Sequence, residues 1–166
     1  MDRIKPILEN EEFIKRIKQI SESEEDRIYC KHDLAHALDV ARIAFIKNLE
    51  ENIGLSKDCI YATALLHDIG RAEEYKSGTE HKIAAIAPAM NILRDAGFSS
   101  DEIEGIISSI SNHSGKSKDK SKSSDFTDSL SELLTEADRL SRTCFICNSS
   151  ESCKWDDDMK NTMIEY

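Results

Sequence analysis

The sequence has few of the residues that punctuate β-structure: it contains six glycines and two prolines in 166 residues, and aromatic side chains make up 6%. A β-sandwich or barrel needs a turn roughly every eight to twelve residues, so this scarcity favours helices. No run of about 18 apolar residues occurs, which argues against a membrane-spanning helix. Residues 1–12 are charged and hold no apolar stretch, so no signal peptide is recognised and we expect a cytoplasmic protein without a membrane partner.

Positive charge is also in short supply, and the formal net charge is −10. An acidic surface repels the phosphate backbone, so we expect no nucleic-acid partner. A small anionic substrate remains compatible with this charge, but locally placed cations would have to bind its phosphate. The length suits one domain with a single core. We therefore predict one domain over 1–166, in which 143–166 form a cysteine-containing C-terminal extension packed on the rest.

Helical periodicity is what the sequence does contain. Apolar side chains recur every three or four positions in 31–50, and 56–69 are apolar nearly all round, so we expect the second of these helices to be buried. Ser56 is its predicted N-cap and Gly70 is predicted to end it, while Ser99 and Glu102 form a capping box. The fold class predicted is an all-α compact bundle of about six or seven helices, at 11–20, 31–50, 56–69, 80–96, 100–113 and 128–143, with a short last helix in the tail.

The dipeptide His67-Asp68 closes the most apolar helix. Burial of a carboxylate is costly unless something compensates its charge, and a divalent metal ion bound by both side chains would do so. The alternative is structural: a His67 N–H bonded to a backbone carbonyl, with Asp68 acting as a cap. Two further side chains favour the metal, because His36 and Asp138 lie among the apolar positions of two other predicted helices. Together they form a four-ligand set.

These residues, His36, His67-Asp68 and Asp138, resemble the H…HD…D pattern of the HD-domain superfamily. The local contexts HALDVARIA, ALLHDIGR and LTEADRLSR fit as well, and the likeness covers roughly 30–140. The resemblance implies a helical bundle and a metal-dependent phosphohydrolase. With mixed His and Asp ligands, Mn, Fe, Mg or Zn are all admissible at the site.

A second metal ion is implied by the same resemblance. In dinuclear members, histidines in two later intervals bind it and the Asp of the HD pair bridges both ions. His81 and His113, in TEHKIAAIA and ISNHSGK, resemble those ligands, and Asp68 would be the bridge. The alternative is that both are ordinary surface histidines.

His32 is predicted four residues before His36 on the same helical face, about 6 Å along. The segment KHDLAHA resembles that of cyclic-nucleotide phosphodiesterases, in which the earlier histidine is the general acid. His32 and Asp68 are therefore the candidate catalytic residues, and the alternative for His32 is a hydrogen-bonded helix residue.

Arg71 and Arg142 are candidates to bind substrate phosphate, or else to pair with surface carboxylates. The lysines of 114–124 form either a substrate lid or a plain solvated loop.

Cysteines near the C-terminus are spaced C-x₂-C-x₅-C, which suggests zinc or an iron–sulfur cluster. Cys30 is six residues before His36, and Cys144 is six residues after Asp138. If those helices are antiparallel, both cysteines project about 9 Å to the same side of the metal. A site formed by Cys30, Cys144, Cys147 and Cys153 follows, whereas Cys59 is expected in the core; the alternative is that the tail cysteines are packed and reduced.

The function predicted is metal-dependent hydrolysis of a phosphate ester or anhydride in a nucleotide or other small phosphorylated metabolite. Two alternatives stay open: a di-iron oxygenase of the HD type, and a non-catalytic metal or redox sensor built on the cysteines. The sequence leaves the oligomeric state undetermined.

Overall fold

A computed structural model describes residues 2–112 and 125–166. In these ranges the chain is helical and contains no β-strand, so the predicted all-α class is confirmed. Eight α-helices lie in the described residues: α1 (Ile4–Glu9), α2 (Glu11–Ser23), α3 (Leu34–Glu50), α4 (Lys57–Leu66), α5 (Arg71–Ser77), α6 (His81–Asp95), α7 (Ser100–Asn112) and α8 (Asp125–Leu140).

Helix α4 is the centre of the bundle. It lies against α1, α3, α6, α7 and α8, and residues on all its sides are buried, including Ile60, Ala62 and Leu65. An element that is apolar all round has no face to offer to water, so other helices must enclose it. Both predicted caps are present: the Ser56 hydroxyl accepts from the Cys59 N–H at 3.1 Å, and the Ser99 N–H donates to Glu102 Oε2 at 2.9 Å.

Two short helices, α1 and α5, were not predicted, because six or seven residues are too few to show a helical period. The boundaries of two others also differ. Helix α3 begins at Leu34, after Asp33 caps it by accepting the His36 N–H at 3.0 Å, so the prediction that His32 lies on this helix is wrong. Helix α4 ends at Leu66, and 67–70 form a turn into α5.

The chain after α8 has little regular structure. It contains 3₁₀ turns at Cys144–Ile146 and Asp157–Met159 in place of the predicted last helix. The buried Asn161 side chain donates to the carbonyls of Leu140 and Arg142 at 2.7 and 2.8 Å and so completes the end of α8. No helix in 2–112 or 125–166 combines the length and apolar character needed to cross a membrane.

Gly70 has a different role from the helix-ending one predicted for it. Its φ is −70°, which any residue adopts, but a Cβ placed there would lie 1.8 Å from the backbone oxygen of His81. The missing side chain therefore lets the turn after α4 touch the first turn of α6. This contact brings the His67-Asp68 pair close to His81.

We expect Gly70→Ala to lower the free energy of unfolding by about 3 kcal/mol or more, because the methyl group meets backbone that cannot move aside. Urea denaturation measures this. Gly54→Ala is the control: Gly54 has φ +84° and open space around it, so only backbone strain of about 1 kcal/mol applies. Equal losses in the two variants would contradict the packing argument.

Candidate metal centre

Three predicted ligands meet at one point of the bundle. His36 comes from α3, His67 from the turn after α4, and Asp138 from α8. One ligand atom from each lies within 4.8 Å of the other two, and the described residues hold no other group of three or more His, Cys, Asp or Glu side chains that meets this criterion. His36 Nε2 is 3.3 Å from Asp138 Oδ1. Side chains separated by a hundred positions thus converge as the sequence predicts.

Asp68 lies beside this group and reaches in two directions. Its Oδ2 is 3.1 Å from His67 Nε2 and 3.7 Å from His36 Nε2. Its Oδ1 is 2.8 Å from Arg71 Nε and 3.7 Å from His81 Nε2. Burial alone would raise the pKa of Asp68, but the charges of His67 and Arg71 hold that pKa well below its usual value. Asp68 is therefore an anion with histidines on both sides.

The outer nitrogen of each histidine is fixed by a neighbour. His67 Nδ1 is 2.7 Å from the carbonyl of Ala64. Because a carbonyl oxygen can only accept a hydrogen bond, Nδ1 must carry the hydrogen. His81 Nδ1 is likewise 3.2 Å from a carboxylate oxygen of Glu74. In both rings the inner nitrogen, Nε2, is left with its lone pair toward Asp68 in the neutral form.

His36 follows the same rule through a hydroxyl. Ser141 Oγ donates to the backbone carbonyl of Asp138 at 2.8 Å, so its lone pairs accept from His36 Nδ1 at 3.3 Å. The hydrogen of His36 is thereby placed on the outer nitrogen. Ser141 was not predicted as part of the site, because its role depends on a contact with a residue 105 positions away.

These residues fit a divalent cation. Three Nε2 atoms and the carboxylates of Asp68 and Asp138 share a buried space, and only positive charge between them makes this arrangement stable. A proton supplies that charge in the metal-free chain: burial disfavours charged His67, but Asp68 outweighs burial and raises the pKa of His67 to about 9. A metal ion would replace such protons, since mixed imidazole and carboxylate donors suit Mn, Fe or Zn.

His81 is the candidate ligand of a second ion that lies within the described residues. His81 opens α6 with Nε2 toward Asp68, as the prediction requires, and burial and nearby Arg71 lower the pKa of His81 and keep its ring neutral. His113 and the lysines of 114–124 lie outside the described residues.

His32 is held at the edge of the site by an unpredicted residue, Glu24. The Glu24 carboxylate accepts from His32 Nδ1 and from the His32 backbone N–H, both at 2.6 Å, and from the Tyr75 hydroxyl. Glu24 is 1% exposed, and burial opposes its charge, yet the bonds from His32 and Tyr75 lower its pKa to about 2. The ring of His32 is 5.6 Å from that of His36, so the predicted proximity is found although the helical reason for it is wrong.

Cations surround the carboxylates. Arg142 Nη2 is 2.9 Å from Asp138 Oδ2, and its guanidinium stacks 4.3 Å from the centre of the Trp155 ring. Arg71 bridges Asp68 and Glu74 at 2.8 and 3.4 Å. Both arginines thus pair with acidic residues of the candidate site and not with the surface carboxylates of the second predicted alternative.

A cavity of about 560 Å³ opens onto this centre. Its wall includes the metal-site residues His36, Asp68, His81 and Asp138 and the four cations Arg27, Arg71, Arg142 and Lys154. Arg27 and Lys154 were not predicted, since nothing in their local sequence distinguishes them from other surface cations. The tail contributes Lys154, Trp155 and Cys153, and Cys30 lies on the same wall.

Neither Cys30 nor Cys144 is in an α-helix, so the helical geometry predicted for them is wrong.

The sequence profile described as HD domain matches residues 33–143, which contain all of the His36, His67-Asp68 and Asp138 pattern. The chain belongs to the HD domain family. An uncharacterized protein of Clostridium beijerinckii is 43% identical to this HD chain over 166 residues, with all of both chains covered. A crystal structure of a predicted HD superfamily hydrolase from an uncultured Thermotogales bacterium superposes with a TM-score of 0.60, at 21% identity, over 90% of this chain and 81% of the other. That likeness shows the shared fold.

Proposed function

We propose that this HD protein is a metal-dependent phosphohydrolase that acts on a phosphate ester or anhydride of a nucleotide or other small phosphorylated metabolite. The observation that carries the proposal is the convergence of His36, His67 and Asp138, with Asp68 beside them, next to a cavity whose wall holds His36, Asp68 and Asp138 together with four cations. Metal ligands and phosphate-binding cations on one wall are the two requirements of metal-assisted phosphoryl transfer.

His36, His67, Asp68 and Asp138 are the residues that would hold the ion, and His81, whose Nε2 is 3.7 Å from Asp68 Oδ1, would contribute to a second one. A divalent ion bound there lowers the pKa of a coordinated water, which makes the water a nucleophile at neutral pH. Arg71 and Arg142 are oriented by Asp68 and Asp138, so their remaining N–H groups would bind phosphate oxygens in a fixed direction.

His32 is the candidate general acid. Its Nδ1 donates to Glu24, so in the imidazolium form the second proton, at Nε2, is the one that His32 would give to the leaving oxygen. The adjacent carboxylate stabilises the imidazolium that carries this proton. The ring lines the cavity beside His36 and so lies where the scissile bond would be placed.

The cavity favours a small substrate. A volume of about 560 Å³ is within the usual range for metabolite pockets, and the chain has a net charge of −10. A polyanion would meet this negative surface over a long range, whereas a small phosphate inside the cavity is within reach of the four cations of its wall.

The test is a phosphate-release assay on protein stripped of metal and then supplied separately with Mn²⁺, Fe²⁺, Zn²⁺ or Mg²⁺, against nucleotides and sugar phosphates. We expect turnover with at least one metal and none without metal. Iron bound with oxygen consumption and no phosphate release would instead favour the oxygenase alternative. Metal bound at the His and Asp residues with neither activity would contradict the hydrolase and favour a sensor.

A further inference from the structure

Four half-buried cysteines lie in the tail and in the segment before α3, two of them in the wall of the cavity, and they have no part in the proposed hydrolysis. We refer to Cys30, Cys144, Cys147 and Cys153 as the cysteine cluster. The last three are joined by successive tight turns: the Cys147 N–H donates to the Cys144 carbonyl at 3.3 Å, the Ser150 N–H to the Cys147 carbonyl at 3.3 Å, and the Cys153 N–H to the Ser150 carbonyl at 3.4 Å. Successive turns of this kind keep the three tail cysteines close together along the chain.

In the segments that carry the cluster, the cysteines are more buried than the isoleucines. Ile146 is 74% exposed and Ile28 is 66% exposed, whereas all four cysteines are half-buried. A tail held by hydrophobic packing would show the opposite pattern, since an isoleucine gains more from burial than a cysteine. Of residues 141–166, only Asn161 is fully buried, so apolar burial contributes little to holding this segment.

Cys30 is brought to the tail by its neighbours. The hydroxyl of Tyr29, the residue before Cys30, donates to the backbone oxygen of Ser152, the residue before Cys153, at 3.2 Å. Cys30 and Cys153 also share the wall of the cavity. Burial raises the pKa of the Cys30 thiol, and the proximity of Cys144, Cys147 and Cys153 raises it further, because like charges repel.

We propose that the cysteine cluster is a second metal site, which holds a thiolate-ligated centre and fastens the tail to the segment before α3. Thiolates are soft ligands, which favour zinc or an iron–sulfur cluster. A bound cation also removes the repulsion among four thiolates. No three of the sulfur atoms lie within 4.8 Å of one another in the described chain. Ligation of one zinc ion at about 2.3 Å would therefore draw the tail inward.

A metal bound by the cysteine cluster would also affect the cavity, through the residues that follow Cys153. Lys154 and Trp155 follow Cys153 directly, and Arg142 stacks on Trp155. A fixed Cys153 would fix this wall of the cavity. The proposal is independent of hydrolysis, because it predicts metal content and tail order rather than turnover.

The experiment compares the whole chain with its Cys147→Ser and Cys153→Ser variants, purified without chelators or affinity metals. Zinc, iron and acid-labile sulfide are measured per chain. We expect each variant to lose about one zinc ion, or else iron together with an equal amount of sulfide, relative to the parent. Trypsin should also cleave at Lys154 several-fold faster in the variants, while circular dichroism shows an intact helical bundle.

Two controls separate the cluster from other sites. Cys59→Ser removes the buried thiol of α4, which bonds Glu102, and should leave metal content unchanged. Asp138→Asn should lose the metal of the His and Asp centre yet retain the cysteine-bound metal. Identical metal content and cleavage rate in the parent, Cys147→Ser and Cys153→Ser would overturn the proposal, as would a disulfide within the cluster in freshly reduced and repurified protein.

Discussion

Replacing Asp68 with asparagine is expected to lower kcat for phosphate release by at least about 10³-fold, equivalent to about 4 kcal/mol of transition-state stabilisation. Asparagine preserves the shape of the side chain but removes the charge that lies between His67 and His81. Metal content should fall in the same variant. Kinetics and metal analysis on one preparation measure both effects.

The matched control is Asp39→Asn, also an aspartate but exposed on α3, the helix that carries His36. It should retain full activity and metal. Circular dichroism should show unchanged helix content in both variants, because asparagine at position 68 keeps the backbone carbonyl that accepts from the Arg71 N–H at 2.9 Å. Substantial turnover by Asp68→Asn would refute the assignment of this centre as the active site.

The second large effect is expected at His32 and Glu24. His32→Ala should lower kcat by about 10²–10⁴-fold on substrates with alkoxide leaving groups, because it removes the proton donor. Glu24→Gln should lower kcat by a smaller factor, since glutamine retains an acceptor for His32 Nδ1 but not the charge that stabilises the imidazolium. Glu24 is thus a positioning residue.

Leaving-group dependence distinguishes this role from a structural one. The 4-nitrophenolate group of 4-nitrophenyl phosphate departs without protonation, so the defects of both variants should shrink on this substrate if His32 acts as an acid. Glu25→Gln, at the exposed neighbouring position, is the control and should match the parent. Equal defects with good and poor leaving groups would mean that Glu24 and His32 only support the fold.

Long helices are the parts of the fold that the sequence predicts best. The helices that form the centre of the bundle have apolar stripes over ten or more residues, and their caps are local signals such as the Ser99–Glu102 pair. Short helices lack this redundancy. The start of α3 was misplaced because the apolar pattern continues past Asp33, whereas the cap that decides the boundary is a single side-chain bond.

The three side chains that form the candidate centre could be predicted from the sequence. His36 and Asp138 lie among the apolar positions of two long helices, which periodicity reveals, and His67 directly follows the most apolar helix. Their supporting residues do not have such a signal: Glu24 lies in a run of charged residues, and only the tertiary contact with His32 distinguishes it. For His67 the two predicted alternatives are compatible, because its bond to a backbone carbonyl at 2.7 Å directs Nε2 toward Asp68, which lies at 3.1 Å.

The way in which the ligands are distributed along the chain has a thermodynamic consequence. His36 belongs to the first half of the sequence and Asp138 to the last helix, so an unfolded chain cannot bring them together. Metal bound only by the native state adds to the free energy of unfolding, by about 1.4 kcal/mol for each tenfold excess of free metal over its dissociation constant. The ion at this centre would then be a reversible cross-link between α3 and α8, and the thermal resistance of the protein would follow the metal supply of its surroundings.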